Sequence, residues 1–147
     1  MKIENVEIRK FRADDYEPVM ALWKASGLPY KPNGRDSREK ILKEIAQGTA
    51  TFLAAVKGET IIGTVLATHD GRKGWINRLA VTAEFRGLGI AQRLLEEAEK
   101  ALYDGGIEII ACLIEDYNQT SMSFFQKSGY TKHTDIFYFT KRRHPGV

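Results

Sequence analysis

The sequence predicts a mixed α/β or α+β sheet, in the order strand, two helices, three strands, helix, strand, helix, strand. Three observations carry this. Leu88, Ala91, Leu94, Leu95, Ala98 and Leu102 recur at helical spacing. Residues 107–114 form a nearly continuous apolar run, the kind of strand that is buried on both faces. Residues 51–56 and 60–68 are strand-like runs separated by Lys57-Gly58-Glu59, which makes them a hairpin.

The elements follow in chain order. Residues 3–11 open with Ile3, Val6 and Ile8 among polar side chains and read as a first strand. A helix starts at Ala13-Asp14-Asp15, where acidic residues suit the positive end of the helix dipole. It carries Tyr16, Val19, Met20, Leu22 and Trp23, and Gly27-Leu28-Pro29 stops it. After a polar loop, residues 37–46 form a short helix with Ile41, Leu42 and Ile45 on one side. Ser37 with Lys40 does not make a capping box, so its start is open. Residues 75–81 are a further strand after the turn residues 70–74. Glu96 and Lys100 support the long helix as an i,i+4 pair, and Gly105 ends it. Residues 118–127 are the last helix, ended by Ser128-Gly129, and residues 136–140 are expected to close the sheet as a strand.

The 147 residues fit one domain spanning residues 1–147. A 43% hydrophobic, 28% charged composition is that of a folded soluble protein and excludes disorder or a fibre. The longest apolar run, 109–114, is far short of the roughly 18 residues that a membrane span needs. The N-terminal residues lack the apolar core of a signal peptide, so a cytoplasmic location is expected. One cysteine, Cys112, excludes an internal disulfide, and no cysteine–histidine metal pattern exists. A net charge of +3 is too mild to argue for nucleic acid and suits an anionic small ligand equally well. Much of that excess sits in Lys141-Arg142-Arg143-His144, whose plain reading is a solvated terminus.

The chemistry lies in residues 79–91, where a strand ends, a short turn follows, and a glycine-rich loop enters the long helix. Amides in such a turn have no intrahelical partner, and with the helix dipole they make an anion cradle. Gly87 and Gly89 remove the Cβ atoms that would hold a phosphate away, and Arg86 adds a fork-shaped donor. A P-loop would need Gly-Lys-Ser/Thr, which is absent. A dinucleotide fingerprint would need a small residue at Gln92 and a tighter turn. A helix start with incidental glycines is the plain alternative.

The loop resembles the coenzyme A pyrophosphate loop of the GNAT acetyltransferases, Arg/Gln-x-x-Gly-x-Gly/Ala, which Arg86, Gly89 and Ala91 match. Leu79-Ala80-Val81 resembles that family's pantetheine-binding strand. Asn118 to Tyr130, as Asn-x(5)-Phe-Phe-x(3)-Gly-Tyr, resembles its second motif. The turn at 70–74 and Glu84-Phe85-Arg86-Gly87 look most like the YpeA-like branch of small bacterial members. The resemblance implies the GNAT fold, a mixed, mostly antiparallel sheet with a splayed centre and about four helices. It implies acetyl-CoA as co-substrate, no metal, and direct attack of an amine acceptor in a ternary complex. The cofactor would be held by Leu79, Ala80, Val81, Arg86, Gly87, Leu88, Gly89, Ile90, Ala91 and Asn118. Asn118 has an equal claim as a helix N-cap. Homodimers are common in the family, and an exposed final strand could supply the pairing edge.

The sequence departs from the family pattern at both acid–base positions. The usual tyrosine acid is Phe125, and the carboxylate that some members place before the motif asparagine is Leu113. Glu115, acting through water, and Tyr117 remain as catalytic candidates, with ordinary strand-end and helix-start roles as the alternative. Cys112 in its apolar run reads as a small hydrophobe, with an acetyl-cysteine intermediate as the minor alternative. Trp23, Tyr30, Lys31 and Arg35 are the candidates for the acceptor end, where basic residues would disfavour polycations. A module that binds acyl-CoA without turnover is the second functional reading.

Overall fold

The computed structural model describes residues 5–147, so Ile3 lies outside the described residues. Strands β1 (Val6–Lys10), β2 (Ala50–Lys57), β3 (Thr60–His69), β4 (Lys73–Val81) and β5 (Ile109–Ala111) form one sheet in sequence order. Neighbours are antiparallel except β4 and β5, which are parallel. Helices α1 (Tyr16–Ala25) and α2 (Arg38–Ala46) follow β1; α3 (Ile90–Asp104) links β4 to β5, and α4 (Gln119–Lys127) follows β5.

The sheet separates two apolar layers. On one side Leu94, Leu95, Ala98 and Leu102 of α3 and Phe125 of α4 pack on Ile62, Val65 and Ile76. On the other, Val19 and Trp23 of α1 and Ile41 of α2 pack with Phe52 and Ala80. The amphipathic spacing of each helix dictates which face turns inward. The open start of α2 is settled by Ser37, whose Oγ accepts from the Lys40 amide at 3.3 Å. Arg9 donates through both terminal nitrogens to the Asp15 carboxylate, at 2.7 and 2.9 Å, and pins the start of α1 to β1.

Two expected strands differ. The apolar run 107–114 pairs only at Ile109–Ala111, because the chain leaves β4 beyond that point. Residues 136–140 form no strand: Ile136, Phe137, Tyr138 and Phe139 are exposed, Phe139 at 89%. The run has the propensity for a strand, but a three-residue β5 offers it a very short edge. The tail instead reaches the loop between α1 and α2, where the Gly146 carbonyl lies against Gly34.

Candidate active-site cleft

The cleft begins where β4 and β5 part. Their ladder runs Lys73–Ile109, Gly74–Ile110 and Trp75–Ala111, then stops. From Ile76 onward the open side of β4 faces a cleft of about 470 Å³, within the usual size of a small-molecule site. Ile76, Asn77, Arg78 and Leu79 line one wall, and Cys112, Leu113, Ile114 and Glu115 line the other.

A β-bulge shapes the β4 wall. Thr64 pairs with Ala80 and Leu66 with Asn77, so Arg78 and Leu79 together oppose Val65. Arg78 takes φ 55°, uncommon outside glycine. Three contacts hold it there. Its Nη2 donates to Asp36 Oδ2 at 2.9 Å, its Nη1 donates to the Pro29 carbonyl, and its guanidinium lies over the Trp23 ring at 4.8 Å. Its own carbonyl accepts from Thr64 Oγ1 at 2.8 Å, and Thr64 accepts from Trp23 Nε1 at 3.0 Å. Asp36 Oδ2 also accepts from the Lys31 amide at 2.8 Å. The loop between α1 and α2 is thereby tied to the wall of the cleft. Burial lowers the Arg78 pKa from its usual value, against the opposing pull of Asp36.

At the other end of β4 the loop meets α3. Gly87 and Gly89 take φ 76° and 83°, and a Cβ on either would meet nothing within 4 Å. Among the described residues, the six amides from Gly87 to Gln92 donate to no protein acceptor; the first helical bond runs from Arg93 to the Gly89 carbonyl. No side chain caps this end of α3. Such a run of free N–H groups at a helix start is an anion site by its own chemistry. Arg86 Nε donates to the Val81 carbonyl at 2.9 Å, which braces the loop against the strand. That bond approaches from the side away from β3, since the next amide, Thr82, donates to Ile62 of β3. Strand alternation places the main chain of Leu79 on the same open side.

The predicted residues divide accordingly. Leu79, Glu115, Asn118 and Phe125 line the cleft, while Arg86, Gly87, Leu88, Gly89, Ile90 and Ala91 form the loop and first helical turn beyond it. Ala80 and Val81 are buried in the two apolar layers. Asn118 caps α4, its Oδ1 accepting from the Ser121 amide at 3.1 Å. Tyr117 is 74% exposed and is not part of the cleft lining. Phe125 is buried, with edge-to-face contacts to Phe124 and Tyr130 at 5.3 and 5.1 Å. Burial pushes the Cys112 thiol up to about 11, so it is protonated at neutral pH. Of the acceptor-end candidates, Trp23 and Arg35 line the cleft; Tyr30 and Lys31 are not part of its lining.

Four residues escaped the sequence reading. Arg78 and Asn77, polar in an otherwise apolar strand, were the available signal for the bulge. Asp36 and Glu44 gave none, being charges among many on a loop and a short helix. Glu44 also lines the cleft, and burial together with the Asp36 carboxylate raises its pKa.

The family model described as Acetyltransferase (GNAT) family matches residues 9–130. PaiA N-acetyltransferase from Thermoplasma acidophilum, solved in complex with coenzyme A, is 25% identical over 90% of this chain and 94% of its own, with a TM-score of 0.78. A predicted acetyltransferase from Clostridium acetobutylicum, solved with acetyl-CoA, is 17% identical over 95% of this chain and 99% of its own, TM-score 0.74. An aminoglycoside acetyltransferase from an uncultured soil metagenomic sample, solved in complex with sisomicin, is 15% identical over 94% and 97%, TM-score 0.74.

Proposed function

The chain belongs to the GNAT acetyltransferase family, and from that premise we propose that it transfers the acetyl group of acetyl-CoA to an amine by direct attack in a ternary complex. The observation that carries this reading is the pairing of six free amides at residues 87–92 with a β4–β5 ladder that opens after three residue pairs. A diphosphate suits the first, and an extended thiol-bearing arm suits the second, as an added strand. The solved structures that contain coenzyme A or acetyl-CoA support the same cofactor.

In this reading the amides of Gly87 to Ala91 hold the pyrophosphate, with the free nitrogens of Arg86 near it. The main chain of Leu79 and the amide of Val81 bond the pantetheine arm, the Val81 carbonyl being held by Arg86, and Asn118 approaches the arm from α4. The acceptor nitrogen forms a bond to the thioester carbon, the C–S bond breaks, and the thiolate leaves. Near pH 7 only about one alkylamine in a thousand is neutral, so loss of the ammonium proton is the step that needs help. Glu115, on the cleft wall, is the proposed acceptor for that proton through water. Tyr117, exposed beyond the lining, is the weaker of the two sequence candidates. The departing thiol has a pKa near 8.5, so its release as thiolate costs only about 2 kcal/mol at pH 7. That cost is compatible with Phe125 at the family's acid position.

Acetyl-CoA at a hundred times its dissociation constant stabilises its protein by about 2.7 kcal/mol, which is roughly 5–10 °C at this chain length. The expected result is such a shift together with amine-dependent release of thiol. A shift with NAD and none with acetyl-CoA ends the reading. The hydroxyl-free Phe125 and the apolar Leu113 favour a second reading, an acyl-CoA-binding module without turnover. Micromolar binding, with thiol release no faster than uncatalysed hydrolysis across an amine panel, selects it. The exposed apolar run from Ile136 to Phe139 supports a homodimer, which sedimentation decides. Among the described residues no helix is long and apolar enough to cross a membrane.

A further inference from the structure

A second cavity lies where the C-terminal tail meets the start of α2. Its wall carries Arg35 and Lys40 from one segment and Lys141, Arg142, Arg143 and His144 from the other. Among the described residues no aspartate or glutamate lines it; Val147 does, and its main-chain oxygen accepts from Arg142 Nε at 3.0 Å, a bond internal to the tail. The tail touches the loop between α1 and α2 where Gly146 lies against Gly34. Among the described residues, Lys40, Lys141 and Arg143 have no carboxylate within ion-pair distance, and Arg35 has only Asp36, at 3.6 Å. That Asp36 oxygen is already engaged by Arg78.

Like charges gathered from two distant segments repel one another, so a bound anion would stabilise their convergence. Arg35 lines this cavity and the cleft alike, which puts the anion position at the mouth of the cleft. The residues of the phosphate loop, 86–91, take no part in it. Inside the cleft Glu44 supplies a carboxylate with no ion-pair partner among the described residues.

We infer that the acceptor is an amine that also carries an anionic group, a carboxylate or a phosphate, with its nitrogen directed into the cleft toward Glu44 and its anion held at the basic rim of Arg35, Lys40 and Arg143. This deepens the acetyltransferase reading and rests on it. The rim opposes bare polyamines and favours zwitterionic amines.

Two matched pairs test it: ethanolamine against O-phosphoethanolamine, and butylamine against 4-aminobutyrate. Binding to the full chain loaded with coenzyme A is measured by calorimetry, and turnover by thiol release from acetyl-CoA. The anion-bearing member of each pair is expected to bind at least tenfold more tightly at low salt. That advantage should fall below threefold in the Lys40→Gln/Arg143→Gln variant. Equal binding within each pair overturns the inference, as does an equal loss on both members in the variant. Inorganic phosphate binding as tightly as O-phosphoethanolamine also overturns it, because the rim then holds a free anion and reads nothing of the amine. A binding preference without thiol release from any of the four supports the rim, and the acetyltransferase reading fails only when the wider amine panel also releases no thiol, so the two failures are distinguishable.

Discussion

Arg78 donates to Asp36 across 2.9 Å, and this bond joins the bulge in the wall of the cleft to the loop between α1 and α2. The two side chains are 14% and 11% exposed, so the pair is shielded from water and its loss is felt. Asp36→Asn removes the charge that opposes burial of Arg78. We expect a loss of about 1.5–3 kcal/mol in urea unfolding, the range for a hydrogen bond to a charged group. Because Asp36 also accepts the Lys31 amide, the loop should loosen, and the acceptor KM should rise more than the KM for acetyl-CoA. A KM change confined to acetyl-CoA would contradict this coupling.

Periodicity made the layers legible. The spacing from Ala91 to Leu102 marked the helix that covers one face of the sheet, and Gly87 with Gly89 marked the loop in front of it; Leu88, expected on the helix, lies in that loop because the helix starts at Ile90. The bulge was not legible, because a two-against-one register depends on the partner strand, which no local pattern at Arg78 reveals. Residues 112–114 look like the rest of an apolar strand, yet they line the cleft because β4 and β5 diverge. Divergence is a property of the pair and leaves no trace in either segment. Residues 136–140 show the reverse case, with strong strand propensity and no ladder.

The phosphate loop depends on backbone geometry, which gives a direct test. Gly89→Ala forces a Cβ into φ 83°, at a cost of about 1–2 kcal/mol. The loop should relax away from that conformation, misaligning the free amides, and acetyl-CoA affinity should fall at least tenfold. Gly71→Ala is the control: φ is 89° there and the surrounding space is equally open, but it sits in the turn before β4. It should cost similar stability and leave affinity within twofold. Equal effects on binding from both substitutions would remove the loop from the site.

Cys112 lines the cleft, and an acetyl-cysteine route would need its thiolate. With the thiol pushed up to about 11 by burial, roughly one molecule in a thousand is ionised at pH 8. Alkylation by iodoacetamide at pH 8 should therefore run roughly 200-fold slower than for free cysteine, rising about tenfold per pH unit up to pH 10. Cys112→Ala should keep acetyl transfer within threefold of the parent. A burst of acetylated enzyme, or inactivity of a folded Cys112→Ala protein, would show that the sulfur takes part in the reaction.

Phe125 occupies the position where many family members carry a tyrosine acid, and its ring sits at the cleft between Phe124 and Tyr130. Tyr130 shows that this layer accommodates a hydroxyl when it has a partner, since its own OH donates to Glu99 at 2.7 Å. In Phe125→Tyr the added OH lies at a position already lining the cleft, where it could donate to the departing thiolate. The substitution keeps the ring and both edge-to-face contacts, but Phe125 is buried, so a hydroxyl without a partner should cost about 1–3 kcal/mol of stability in the free protein. Turnover should be unchanged or higher, with any gain largest below pH 8, where the thiol leaves less readily as the anion. A fall of tenfold or more in a folded Phe125→Tyr protein would mean that an apolar ring is itself required there, and thioester positioning would then depend on Phe125 packing in place of proton donation.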